Sequence, residues 1–227
     1  MREILGTVFC VSYYKKEFVE ECLKSYAKQT IRDKLKLVFI DNGSSFDKKS
    51  LFDKYAIEGD VFERFEDNRV IGRIQYAIDK YGEGKAYTIL MDDDILPING
   101  LEKRMLPVIN GEFEVVHTGL KNIGDEIGIL HRAKLEDKKH IVYGTLAFSP
   151  EACNKVGGLS YELRYQADYL FIELLKLEYE IGYISDVTLF YRYHEGAESC
   201  TQTKDNRKIE HAKVKELIEK YKTERNK

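Results

Sequence analysis

Tryptophan is absent from this 227-residue chain, and its four cysteines, Cys10, Cys22, Cys153 and Cys200, form no CxxC pair. Such scattered cysteines indicate neither a zinc cluster nor a disulfide framework, so a reducing compartment fits the composition. Long apolar runs are missing as well: no window approaches the roughly 18 residues that a membrane-spanning helix needs. Met1-Arg2-Glu3 leads straight into a strand-like run, without the small-residue site that closes a secretory signal. An excess of positive charge is missing too. A net charge of -3 and a pI near 6.0 lack the basic footprint of a general nucleic-acid binder, so no nucleic acid is expected as a partner. No repeat or low-complexity segment interrupts the chain. A soluble, cytoplasmic protein is expected.

What is present is apolar and aromatic. Hydrophobic residues make up 43% and aromatics 12% of the chain, with 16 tyrosines, enough to bury one substantial core in a single domain. Charge is uneven: from residue 201 onward Lys204, Arg207, Lys208, Lys213, Lys215, Lys220, Lys222, Arg225 and Lys227 outnumber Asp205, Glu210, Glu216, Glu219 and Glu224. The division expected is a domain over residues 1–200, with halves 1–97 and 98–200, followed by a basic helical tail over 201–227. The tail reads first as a solvated helix. Contact with an anionic membrane is the alternative.

The organising stretch is Tyr87-Thr88-Ile89-Leu90-Met91-Asp92-Asp93-Asp94, a run of β-formers that ends in three carboxylates. Adjacent carboxylates repel, so a fold tolerates them only where they are solvated or share a counter-charge, and a divalent cation is the most compact such partner. An acidic loop facing water is the plain alternative. Around this stretch the pattern alternates. Residues 4–13 read as a buried strand, 16–29 as an amphipathic helix with Phe18, Val19, Cys22, Leu23 and Tyr26 on one face, and 35–40 as a second buried strand. A helix over 47–55, a short strand over 61–65 and a helix through Ile74, Ala77, Ile78 and Tyr81 precede the acidic strand. Beyond it come a short helix or loop over 98–109, a strand over 113–119, a strand over 142–148 and a helix opening at Ser149-Pro150. A helix through Leu177, two short strands over 181–184 and 187–193, and a tail helix over 204–221 complete the chain. The charged connection over 122–139 has the length of a functional flap near a substrate.

Strand, helix, strand in this order predicts an α/β fold with a mostly parallel central sheet flanked by helices, whose ligands gather beyond the carboxyl ends of the strands. Polar groups stand at those ends: Ser12-Tyr13-Tyr14 after the first strand, Asp41-Asn42-Gly43-Ser44 after the second, and the three aspartates after the fourth. Arg69 and Arg73, beside Gly72 at a helix start, could face phosphate. Asp168 falls at a helix start, where capping alone would explain it.

In this order the features resemble family-2 glycosyltransferases, over about residues 4–199. The segments that carry the resemblance are Val11-Ser12-Tyr13-Tyr14, residues 38–44, residues 68–77, the DXD element at Met91-Asp92-Asp93-Asp94, Gly157-Gly158-Leu159 with Asp168-Tyr169-Leu170-Phe171, and Tyr191-Arg192-Tyr193-His194. Three places depart from the family pattern: Asn42 replaces a second acid, Gly72 stands later than usual, and Gln166-Ala167 precedes Asp168 where a glutamate is more common.

The resemblance implies the GT-A nucleotide-diphospho-sugar transferase fold in a single domain. It also implies metal-dependent, inverting transfer of a hexosyl group from a nucleoside-diphosphate sugar, with UDP-sugar favoured, to a hydroxyl of a glycan or lipid-linked acceptor. It makes Asp168 the general base. Ser12, Tyr13, Asp41, Asn42, Asn68, Arg73, Asp92 and Asp93 become donor-binding residues, and Asp92, Asp94 and His194 ligands for Mn2+ or Mg2+. Other enzymes of similar design fit less well: a nucleotidyltransferase would carry a glycine-rich basic loop after strand one, and an aspartyl-nucleophile phosphatase its Asp-x-Asp there. A catalytically silent sugar-nucleotide or glycan-binding module is the alternative from another class.

Overall fold

The computed structural model describes residues 2–13, 16–67, 70–124, 141–194 and 204–225. Tyr14, Asn68, Arg69 and most of the expected flap lie outside them. The elements begin with β1 (Gly6–Ser12), α1 (Lys16–Ala27), β2 (Leu35–Asn42), α2 (Lys49–Tyr55), β3 (Val61–Phe65), α3 (Val70–Tyr81) and β4 (Ala86–Met91). They continue with α4 (Gly100–Ile109), β5 (Val115–Gly124), β6 (Leu146–Phe148), α5 (Pro150–Lys155), α6 (Ala167–Glu178), β7 (Gly182–Tyr193) and α7 (Lys204–Arg225).

The strands form one sheet in the order β3-β2-β1-β4-β6-β5-β7. β1 lies parallel to both β2 and β4, β2 parallel to β3, and β5 parallel to β7, while β6 runs antiparallel between β4 and β5. β1 is buried along its whole length, as expected of a parallel strand covered on both faces. Its side chains alternate between two cores. Phe9 and Val11 join Val38, Ile40 and Ile89 on the face covered by α3, α5, α6 and α7; Val8 and Cys10 join Leu37, Phe39 and Leu90 under α1, α2 and α4. This is the three-layer α/β arrangement that the alternating pattern predicts.

Two sequence expectations change in detail. The segment 142–148 is a 3-10 turn at Tyr143–Thr145 before a short strand Leu146–Phe148, because only those last three residues pair with β5, and only Ala147 and Phe148 with β4 as well. The two expected strands over 181–193 are one long strand, β7, whose register against β5 shifts at Gly119. The polar Ser185-Asp186 that reads as a break is that irregularity, a bulge rather than a chain reversal.

The C-terminal helix packs onto the domain. Val214 is fully buried, and Leu217, Ile218 and Tyr221 lie against the same core as α6. The Tyr221 hydroxyl donates to Glu178 Oε1 at 2.9 Å, and Arg225 Nε reaches the same carboxylate at 3.0 Å. Val214→Ala should therefore lower the unfolding free energy by about 2 kcal/mol through lost burial and a residual cavity. Urea unfolding followed by circular dichroism checks this, and an unchanged midpoint would show that the helix adds nothing to the core.

Candidate active site at the carboxyl ends of the strands

The strand order turns back at β1: β2 and β3 follow on one side, β4 on the other. Crevices at such reversal points, beyond the carboxyl ends, are where open α/β sheets bind ligands. Register puts polar groups there side by side. Ser12 is paired with Asp41 across β1 and β2, and Val11 with Met91 across β1 and β4, so Asp92 follows directly beside Ser12. The Ser12 hydroxyl donates to Asp92 Oδ2 at 2.5 Å.

A buried lysine completes this group. Lys48 precedes α2, and its ammonium donates to Ser12 Oγ and lies 3.8 Å from both Asp41 Oδ1 and Asp92 Oδ2. Burial pulls its pKa down, while Asp92 and Asp41 pull it up. Asp41 Oδ2 accepts from Arg64 Nη1 at 3.1 Å, and Asp41 Oδ1 from the Ser44 backbone N–H at 3.1 Å. Gly43 permits this turn: its φ is 80°, and a Cβ there would meet the Glu66 carbonyl oxygen at 2.9 Å. Within the same loop the Asn42 amide and the Ser44 hydroxyl are buried without a hydrogen-bond partner. Unsatisfied buried polar groups are costly, and a ligand is a common reason for retaining them. Lys48, Arg64 and Phe46 border an adjoining cleft of about 410 Å³.

The three aspartates point three ways, because they lie in a turn, not a strand. Asp92 faces Ser12 and Lys48. Asp93 Oδ2 meets His194 Nε2 at 3.0 Å, and the Asp93 carbonyl accepts from Arg192 Nε at 2.9 Å. Asp94 turns inward: Oδ1 accepts from the Arg192 N–H at 2.9 Å, and Oδ2 is buried without a hydrogen-bond partner. Its carboxyl is held well above the usual 3.8, first by burial and then by the Asp93 charge, against the pull of the Arg192 N–H and Arg104. Arg104 is itself fully buried, hydrogen-bonded to Thr188 and Thr88, and lowered by burial to about 9.

Sequence reasoning grouped Asp92 and Asp94 with His194; the fold brings Asp93 to that histidine. Among the described residues no three His, Cys, Asp or Glu side chains gather as a metal cluster. A magnesium-like ion needs fewer, since it is commonly held by one or two protein ligands plus water and phosphate oxygens. At 3.0 Å Asp93 Oδ2 and His194 Nε2 form a hydrogen bond or ion pair that a bound cation would replace. A carboxylate and an imidazole brought to one point are a donor set that a divalent cation can take.

Of the remaining expected residues, Tyr13 directly follows β1 and is half-buried. Arg73, on α3, is ion-paired with Asp67 and stacked 3.7 Å from the Phe65 ring centre. Asn68 lies outside the described residues. Asp168 stands half-buried in the first turn of α6. Its charge, after burial, is the next cause of the raised pKa of Tyr143, whose buried hydroxyl has no hydrogen-bond partner. Lys48 and Arg64 were not anticipated, although buried acids at strand ends demand counter-charges; Arg64 reaches Asp41 from the neighbouring strand β3.

This fold and site define a nucleotide-sugar transferase architecture. The family model described as glycosyl transferase family 2 matches residues 7–175, and the chain belongs to that family. Among solved structures, S. aureus TarS 1–349 in complex with UDP-GlcNAc is similar with a TM-score of 0.74 at 18% identity, over 87% of this chain and 61% of that one. A longer S. aureus TarS structure gives 0.70 at 17% identity, over 83% of this chain and 37% of that one. The mannosyltransferase PcManGT from Pyrobaculum calidifontis, in complex with GDP-Man and Mn2+, gives 0.62 at 15% identity, over 82% and 56%. This chain thus spans less than two thirds of the length of each. At these identities the likeness is one of fold. No curated protein matches the chain.

The buried Asp94 yields a pH prediction. The unfolded chain releases this proton near 3.8 while the folded carboxyl holds it to higher pH, so its contribution to stability is present at low pH and is lost as pH rises through that interval. In metal-free protein Asp94→Asn, which cannot ionise, should gain stability relative to the parent as pH rises above about 4. Urea midpoints across that range measure the difference, and parallel profiles would contradict it.

Proposed function

We propose that this chain is a divalent-cation-dependent, inverting hexosyltransferase that uses a UDP-sugar donor and a hydroxyl acceptor on a glycan or lipid-linked glycan. The observation that carries the reading is the set of buried polar groups at the β1, β2 and β4 ends, including the unpartnered Asn42 amide and Ser44 hydroxyl, in a family-2 chain. Asp41 would accept the imide N–H of uracil, with Ser12, Tyr13 and Asn42 lining the nucleoside. Asp92 belongs to that side through Ser12. Asn68 and Arg73 would complete the donor side.

Asp93 and His194 would hold Mn2+ or Mg2+, with Asp94 beneath them fixing Arg192 and so the strand end that carries His194. When bound, the cation supplies charge neutralisation for the diphosphate leaving group. Asp168 would take the acceptor proton, as an inverting displacement requires of a base opposite the leaving group. TarS carrying UDP and UDP-GlcNAc supports the uridine donor, and PcManGT carrying Mn2+ supports the cation.

Release of UDP from a panel of UDP-sugars, with and without Mn2+, tests the reading directly. Cation-dependent release is expected. Binding of UDP without release from any sugar would leave a silent binding module. Asp168→Asn should lower transfer by about 10²- to 10⁴-fold and leave cation-dependent UDP binding intact; normal turnover would remove Asp168 from the mechanism. His194→Ala should weaken UDP binding in Mn2+ but not in its absence.

A further inference from the structure

α6, which carries Asp168, has one local bond in its first turn, from the Tyr169 N–H to Asp168 Oδ1 at 2.7 Å. Its N-cap residue, Gln166, makes no side-chain capping bond. The segment just ahead of the helix is held by a distant residue. Glu210, on α7, accepts the backbone N–H of Arg164 at 3.0 Å through Oε1, and those of Tyr165 at 2.8 Å and Gln166 at 2.9 Å through Oε2. One carboxylate thus binds three consecutive amides in the segment that leads into α6. Hydrogen bonds to an ionised acceptor are roughly twice as strong as neutral ones.

The same helix grips the far end of α6. Arg225 Nη1 donates to the Leu177 carbonyl at 3.0 Å, Tyr221 and Arg225 hold Glu178, and Val214 is buried between. α7 therefore runs along α6 as a splint, with Glu210 at the end where Asp168 projects.

We propose that Glu210 is a positioning residue for Asp168, which makes α7 part of the catalytic unit. The inference rests on the reading of Asp168 as the base. Its physical content is geometric. The three amides fix where residues 164–166 enter the helix, and that entry fixes the carboxylate two residues further on. A displacement of about 1 Å at a reacting group costs on the order of 10²-fold in rate.

The test compares Glu210→Ala, Glu210→Gln and Glu210→Asp, each in the parent and in the Asp168→Asn background, on the full chain. Glu210→Ala is expected to lower kcat on the turned-over UDP-sugar by about 10- to 100-fold, with the UDP Kd in Mn2+ within about twofold. Glu210→Gln, which keeps the shape and guards against a folding defect, should fall part of the way, and Glu210→Asp should recover part of the loss. In the Asp168→Asn background the same substitutions should change little, since residues that act through one another are not additive.

Amide hydrogen exchange at 164–166 should quicken in Glu210→Gln whatever the reaction. Unchanged exchange, an equal kcat per folded molecule, or an equal fold-loss in both backgrounds would overturn the assignment. Quickened exchange in Glu210→Gln, beside a parent protein that turns over no sugar nucleotide, would instead overturn the transferase reading.

Discussion

The site depends on the parallel alignment of β1 with β2 and β4. That register sets Ser12 level with Asp41 and brings Asp92 alongside, so three acceptor groups share a space with little solvent. Such a cluster would repel itself apart without compensation. Lys48 compensates from within the chain, at 3.8 Å from each of two carboxylates. A buried ion pair of this kind is weak evidence for stability, because desolvation offsets most of the attraction. It does fix where each oxygen points, and a polar crevice has most use for that.

The three aspartates follow the same logic with different partners. Asp93 has His194, Asp94 has the Arg192 amide and a buried Arg104 nearby, and Asp92 has Ser12. Each is held from a separate direction, so the loop is ordered before any ligand arrives. Preorganised polar groups need little rearrangement on binding, which leaves more of the interaction energy for the bound species.

Much of the architecture was legible in the chain because buried parallel strands read as apolar runs and their helices as periodic faces. Residues 4–13, 35–40 and 87–91 are of this kind, and their polar ends mark the crevice. Direction was not legible. Successive residues in a turn follow no fixed period, so nothing in Asp92-Asp93-Asp94 tells which of them meets His194. Lys48, Arg64 and Glu210 escaped for a related reason: each acts across a sequence gap through tertiary packing, and among 33% charged residues a cation or anion with a tertiary partner looks like its solvated neighbours. The Ser185-Asp186 bulge was mistaken for a break because polar residues mark both.

The antiparallel β6 divides the sheet into two parallel blocks. The block β3-β2-β1-β4 is complete once residue 91 has been made, whereas β5 gains its parallel partner only when β7 is finished at Tyr193. During synthesis the block β3-β2-β1-β4 can therefore assemble while β5 still lacks that neighbour, and the long outer strand is the last of the sheet to be made. Its irregular register and charged Asp186 and Arg192 make it a poor template for a second nascent chain during that wait.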